Sequence, residues 1–499
     1  MRVLKSVFVA AFVIAASVSL FARDFARFPS IEPLFTAEEE LGYTPAKILS
    51  ADEVITLSLL FSECPLSSYS GRRALQKFER IKKEVSSQEY MSMSEEERGK
   101  AILTLLYSNT LVEYNEDQSK INEVFETGYY NCVSSALIYM AAAKAAGLEV
   151  RGQKTPEHAF CTVYIKDKST GKKRRIDVET TNPYGFNSGT TGSIDYGDNM
   201  KLYYSVPASD YDDRVEVSDK IFAGLVANNL CADYQKDADY FSAIPSMGAL
   251  YNLVKDEKSA TQRQIREDFF GFPCSYIHDA TTDLDSYSAS KYIEIVRWFA
   301  TFIERWGKDA TIQTNMDAAF NNVIYLCFQE KNYDLAETAY KEFKPYVSKK
   351  QLAESQEIIT EILITAKTDG VEPSKKIEII NTILNSGTIT SAQKNRLSIE
   401  LENTWLAVLT EYMNNYEFRE GYQNSLLAEK QLPTSETFKQ TTQIFYTNCI
   451  VDIHNAFVMQ ANKGNYKEAI KILEQGLKDF PGDQTLLNDV AILKSAGIL

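Results

Sequence analysis

The sequence predicts an α+β domain followed by an all-α domain, and two changes in periodicity lead to this prediction. Up to residue 147 the apolar residues recur mostly at helical spacing. The runs "LEVRGQ", "HAFCTVYIKD" and "RRIDVETT" that follow are short and rich in β-branched and aromatic residues, as in strands. From about residue 216 the strand signals disappear and helical patterns continue to Leu499. We therefore expect a small sheet with helices before it and a long helical region after it.

Each part of the first domain has its own local signal. Residues 24–127 are predicted to be mostly helical, and residues 131–146 form a further helix that Gly147 ends. The turn "KSTGKK" joins the last two strands as a hairpin, so the sheet is antiparallel. Residues 184–215 are rich in Gly, Ser, Asp and Tyr and are predicted to be a loop.

Length, charge and cysteine content limit the classes of function. A chain of 499 residues is too long for one hydrophobic core and predicts several domains. A net charge of -15 argues against nucleic acids and anionic membranes as partners. The seven cysteines form no C-x-x-C pair, and the acidic loops lack the ligand order of an EF-hand. We therefore predict neither a metal nor a cofactor.

The first 22 residues have the layout of a secretory signal peptide. Arg2 and Lys5 precede an unbroken apolar run over residues 7–21, which is short for a membrane span. Leu20 is larger than the residue usually found three positions before a cleavage site, so retention as an N-terminal anchor stays open. We expect an exported protein, periplasmic or extracellular and possibly associated with the envelope, with no integral span after cleavage.

The predicted helical domain, residues 216–499, contains internal similarity. Segments 321–343 and 454–477 share a pattern of Lys, Asn-Tyr and Ala that begins at Lys331 and Lys463. The spacing within the pattern differs by one residue between the two segments. This pattern resembles a tetratricopeptide repeat, and residues 225–244 resemble a more degenerate unit. The resemblance implies a superhelix whose concave face binds a protein or peptide. A generic all-α domain is the alternative.

Cys132 stands at the predicted start of a helix, in "GYYNCVSSALIYM". Cysteine is often a small core residue, which is one interpretation. The other is that the helix dipole and unpaired N–H groups favour a thiolate at this position.

His158 and Asp177 favour the second interpretation. Of the three histidines, only His158 lies in a strand-like run, 26 residues after Cys132, and Asp177 follows 19 residues later on the next strand. A nucleophilic cysteine, a histidine base and an aspartate that orients the ring form a Cys-His-Asp triad. His278 and His454 are predicted to be structural.

These motifs resemble the transglutaminase-like superfamily, relatives of the papain-like cysteine enzymes. The resemblance covers residues 128–184: "GYYNC" at a helix start, "GLEVRG" after the helix, "HAF" on a strand and "DVE" on the next. It implies an α+β fold over residues 23–205, with Cys132 as nucleophile, His158 as base and Asp177 as the residue that orients the imidazole. Phe160 stands where many members have Trp.

Two functions follow from this resemblance. The first is an exported enzyme that attacks an amide carbonyl, as a peptidase, amidase, deamidase or transglutaminase. The backbone N–H of Cys132 is its expected oxyanion donor, and Tyr130 or Tyr129 is a weaker candidate for the second. The alternative is an inactive transglutaminase-like fold that serves as a binding or scaffold protein of the envelope. An unreactive Cys132 would favour that alternative.

Overall fold

The structure is a computed structural model that describes residues 28–166, 171–187, 213–280, 287–386 and 389–499. The predicted signal segment, residues 1–22, lies outside the described residues. The chain divides into two compact units. The first extends to Ser286 and includes Glu294–Met316, and the second comprises Tyr287–Ile293 and Asp317–Leu499. Most described residues are helical and the sheet is small, as the sequence predicts.

Helices precede the sheet in the first unit. Two of these helices begin with a capping box. The Ser50 and Ser94 hydroxyls each accept the backbone N–H of the glutamate three residues later, and that glutamate's side chain accepts the backbone N–H of the serine. The elements before the sheet are α1 (Ala37–Leu41), α2 (Ala51–Phe61), α3 (Tyr69–Val85), α4 (Gln88–Ser92), α5 (Glu95–Asn109), β1 (Glu113–Tyr114), α6 (Ile121–Thr127), β2 (Tyr129–Tyr130) and α7 (Cys132–Ala145).

A four-stranded antiparallel sheet follows α7. Its strands are β3 (Glu149–Lys154), β4 (Ala159–Lys166), β5 (Lys173–Val178) and β6 (Val215–Val217), in the order β5-β4-β3-β6. Helix α7 packs against β3 and β4 and is buried along nearly its whole length, which explains its alanine-rich sequence. The predicted meander is present, and β6 adds a strand that the sequence did not predict.

The chain after β6 completes the first unit instead of starting a separate domain. Its helices are α8 (Asp219–Ala223), α9 (Leu225–Lys236), α10 (Tyr240–Val254), α11 (Ala260–Ala280) and most of α12 (Ala289–Trp306). The Asp219 carboxylate accepts hydrogen bonds from the Leu49 N–H and from Lys144 Nζ, at 2.9 and 2.7 Å. The predicted division between residues 205 and 216 differs from this one because β6 pairs with β3 and α8 is joined to α7.

The described part of the second unit is all-helical. Helix α13 (Ala310–Gln329) enters this unit at Asp317. The helices that follow it are α14 (Tyr333–Phe343), α15 (Lys349–Thr368), α16 (Pro373–Asn385), α17 (Ser391–Asn414), α18 (Phe418–Gln431), α19 (Glu436–Asn462), α20 (Tyr466–Asp479) and α21 (Gln484–Ser495). From α14 onward each helix contacts the next one, as in helical repeat arrays. Ala336 and Ala469, the matched alanines of the two similar segments, are both fully buried. Among the described residues, no helix is both long and apolar enough to cross a membrane.

The buried ion pair between Lys144 and Asp219 predicts a large effect on stability. Both side chains are at least nine-tenths buried, so Asp219→Ala leaves an ammonium group without a counter-charge and an unpaired Leu49 N–H. We expect a loss of about 3–5 kcal/mol in the free energy of unfolding, measured by urea denaturation. Asp52→Ala removes one carboxylate partner of Lys82 in a solvent-accessible pair, while Glu79 remains, and should cost less than about 1 kcal/mol. Equal losses in the two variants would contradict this account.

Candidate active site

Cys132 is the first residue of α7, and the residues before it fix that helix start. Gly128 has φ +82°, and a Cβ atom there would lie 2.3 Å from the Val112 side chain, so the position requires glycine. The Asn131 side chain accepts the Ser134 N–H at 3.0 Å, and the Ser134 hydroxyl accepts the Asn131 N–H at 2.9 Å. This reciprocal cap leaves the Cys132 thiol half-buried at the positive end of α7.

His158 lies in the turn between β3 and β4, directly before β4. The Thr155 hydroxyl accepts the His158 N–H at 3.0 Å, and the His158 carbonyl accepts the Thr155 N–H at 2.8 Å. The imidazole is buried and lies beside the Cys132 side chain, near enough for the thiol to influence its pKa. The structure therefore brings together the two residues that the sequence pairs as nucleophile and base.

Glu179, not Asp177, holds the imidazole. Glu179 Oε2 lies 2.7 Å from His158 Nε2, and both side chains are almost completely buried. The other carboxylate oxygen, Oε1, accepts the N–H and the hydroxyl of Thr181 at 3.1 and 2.7 Å. Because Nε2 is hydrogen-bonded to Glu179, Nδ1 is the ring nitrogen that we expect to exchange a proton with the thiol.

The predicted role of Asp177 is wrong, and the strand register gives the reason. Asp177 pairs with Thr162 across the β4–β5 ladder, four residues beyond His158, which is roughly 13 Å along a strand. Its carboxylate accepts the Thr162 hydroxyl at 2.7 Å and Arg214 Nη1 at 2.6 Å. Glu179 is two residues further on and shares the strand face of Asp177, so it reaches His158. Asp177 and Glu179 in "DVE" are two residues apart and therefore lie on the same side of the strand. This spacing makes both of them candidates, and the prediction from sequence includes only Asp177.

The charge of Glu179 determines the protonation of His158. Burial by itself lowers the pKa of the ring, but the Glu179 charge, the hydrogen bonds with Cys132 and Glu179 and the charge of Cys132 raise it to about 10. The ordinary value is near 6.5, so the ring stays protonated at neutral pH. An imidazolium next to Cys132 favours the thiolate, which is the attacking form of cysteine.

Tyr130 does not provide an oxyanion donor. Its side chain is fully buried, and its hydroxyl lies 3.0 Å from the hydroxyl of Tyr107. The Tyr107 hydroxyl in turn donates to the Thr180 carbonyl at 3.0 Å, next to Glu179. This arrangement supports the backbone beside the site instead of facing substrate. The Cys132 N–H stays a candidate oxyanion donor, because the first N–H groups of a helix have no acceptor within it.

The thiol faces an open cleft of about 280 Å³. One wall is the segment after β1, one is the β3–β4 turn, and one is a face of α9 whose residues recur at helical spacing: Leu225, Asn229, Ala232, Asp233 and Lys236. The sequence pattern assigned residues 225–244 to a degenerate repeat. In the structure α9 belongs to the first unit and forms part of the cleft.

The remaining cysteines and histidines lie apart from this site. Cys161 is fully buried and its thiol donates to the Ala136 carbonyl on α7, in agreement with the predicted core position. His454 joins α19 to α21 through Asp489 Oδ2, 2.8 Å from its Nδ1. Within the described residues, no group of three or more His, Cys, Asp or Glu side chains is placed to hold a metal ion.

Comparisons with protein-family models, curated proteins and solved structures gave no significant match for this chain. The interpretation of the site therefore depends on its own geometry.

Replacing each of the two carboxylates in turn by the corresponding amide tests this geometry directly. Glu179→Gln removes the charge that keeps His158 protonated and should slow alkylation of Cys132 by iodoacetamide at pH 6 by about 10-fold or more. In this variant burial lowers the pKa of His158 without the opposing charge of Glu179, so the ring loses its proton more readily. Asp177→Asn, its matched control, should change the rate by less than about twofold, since Asp177 has no contact with the ring. An equal slowing in both variants would contradict the assignment of Glu179.

Proposed function

We propose that this protein is an exported thiol-dependent acyl-transfer enzyme of the transglutaminase-like type that acts on an amide. The observation that carries the proposal is that Cys132 and His158 line one open cleft, with the His158 imidazole hydrogen-bonded to the buried Glu179 carboxylate behind it. A buried carboxylate–imidazole pair next to a thiol at a helix start is the arrangement that nucleophilic catalysis by cysteine requires.

The chemistry proceeds in two half-reactions. The Cys132 thiolate attacks the amide carbonyl carbon, and the Cys132 N–H stabilises the negative charge that develops on the carbonyl oxygen. The His158 imidazolium gives its proton to the departing amine as the C–N bond breaks, which leaves a thioester and a neutral imidazole. The imidazole then takes a proton from water or a second amine as it attacks the thioester. The product is a carboxylic acid or a new amide, and the thiolate is restored.

The choice between water and an amine separates a peptidase, amidase or deamidase from a transglutaminase. The cleft is open, and both acceptors pass through the same thioester, so the proposal covers both. Export by residues 1–22 and the binding of a protein or peptide partner by the helical second unit belong to the same proposal.

An activated ester tests the nucleophile without knowledge of the natural substrate. p-Nitrophenyl acetate should release a burst of one p-nitrophenol per chain as Cys132 is acetylated. Cys132→Ala should abolish the burst, and His158→Ala should slow it strongly. Cys161→Ala is the matched control and should retain the full burst, because that thiol is buried against α7. Added methylamine then reports the acceptor: N-methylacetamide indicates an amine, and acetate indicates water.

A wild-type burst no larger than that of Cys132→Ala would contradict the enzyme proposal. The inactive binding protein of the same fold would then replace it.

A further inference from the structure

Among the described residues, those that line the cleft in front of Cys132 include more acidic than basic groups. Its lining includes four carboxylates and two ammonium groups, an excess of two negative charges: Glu116, Asp117, Glu157, Asp233, Lys154 and Lys236. Asp233 and Lys236 neutralise each other, since Lys236 Nζ lies 2.9 Å from Asp233 Oδ1. The unbalanced charge therefore comes from the other four residues.

Within the part of the chain that the structure describes, three of these carboxylates have no counter-charge in contact. Glu116, Asp117 and Glu157 are exposed, and none of them forms an ion pair with any residue that the structure describes. Glu157 directly precedes His158, whereas Glu116 and Asp117 belong to the segment between β1 and α6. Two separate segments thus present negative charge to one cleft.

The reacting groups add to this charge. A thiolate, an imidazolium and the Glu179 carboxylate together carry one net negative charge. The ring of Tyr114 also lines the cleft, and the face of an aromatic ring attracts cations. A group that enters the cleft meets a negative potential from the walls and the floor, which concentrates cations and repels anions.

We infer that the acyl donor carries a cationic group, a lysine or arginine side chain or an amino terminus, beside the carbonyl that Cys132 attacks. This inference rests on the proposed function, because it names the substrate class of the same site. It identifies the substrate as a basic peptide or amide and excludes an acidic one.

Thiol reagents of equal size and opposite charge test the inference. The Cys132 thiolate attacks the sulfenyl sulfur of a methanethiosulfonate, a disulfide forms, and methanesulfinate leaves with the electron pair. The measurement is the ratio of rates for the trimethylammonioethyl and sulfonatoethyl reagents, divided by the same ratio for a small free thiol. We expect a normalised ratio of about 10 or more at low salt, falling as salt screens the cleft.

Charge variants identify the residues responsible. Glu116→Gln/Asp117→Asn/Glu157→Gln should bring the normalised ratio close to 1. Glu89→Gln removes one charge from an exposed residue of α4, outside the cleft, and should leave the ratio at the wild-type value. The same order should hold for acylation by p-nitrophenyl esters of N-acetyl-lysine and N-acetyl-glutamate, with the lysine ester faster.

The neutral methyl methanethiosulfonate separates the two possible failures. Slow reaction of Cys132 with this reagent would overturn the proposed function. Fast reaction with it, together with a normalised ratio near 1 or an equal loss of the ratio in Glu89→Gln, would overturn the cationic substrate alone. Faster acylation by the glutamate ester would overturn it as well.

Discussion

The buried hydrogen bond between His158 and Glu179 is the contact on which the candidate site depends. A carboxylate and an imidazolium that are both removed from water are stable only as a pair with complete hydrogen bonding. Thr181 supplies the remaining bonds of the Glu179 carboxylate. The pair fixes one ring nitrogen and directs the other toward Cys132, so the orientation of the base follows from β5 and the turn after it. Gly185 permits that turn, because a Cβ atom there would lie 1.9 Å from the Glu179 carbonyl oxygen.

A second constraint holds the thiol in place. Helix α7 is bonded at both ends: Asn131 caps its start and also donates to Ser119, and Lys144 near its end is paired with Asp219. Ser119 also accepts a hydrogen bond from Asn229 on α9, at 2.9 Å. The cap of the helix that begins at Cys132 is therefore bonded to a wall of the cleft. This connection explains why the helices after the sheet belong to the same compact unit as Cys132.

The sequence predicts what local patterns determine and misses what the register determines. The helix start at Cys132, the antiparallel strands and the helical second unit follow from caps, turns and periodicity, all of which are properties of neighbouring residues. The choice between Asp177 and Glu179 depends on which residue of β5 lies opposite Thr162, and no local pattern specifies that pairing. The contribution of α9 to the cleft also depends on packing between segments about a hundred residues apart in the sequence. Tyr130 is a third example, because its burial follows from its contact with Tyr107.

The central claim is that the Glu179 charge keeps His158 protonated next to Cys132 at neutral pH, and the NMR chemical shifts of the imidazole C–H protons test it most directly. The His158 signals, identified by their loss in His158→Ala, should keep the shifts of an imidazolium up to about pH 9. Burial lowers the pKa of this ring, but the Glu179 charge and the hydrogen bonds raise it to about 10. A His158 signal that titrates near pH 6.5, the ordinary value, would contradict the account.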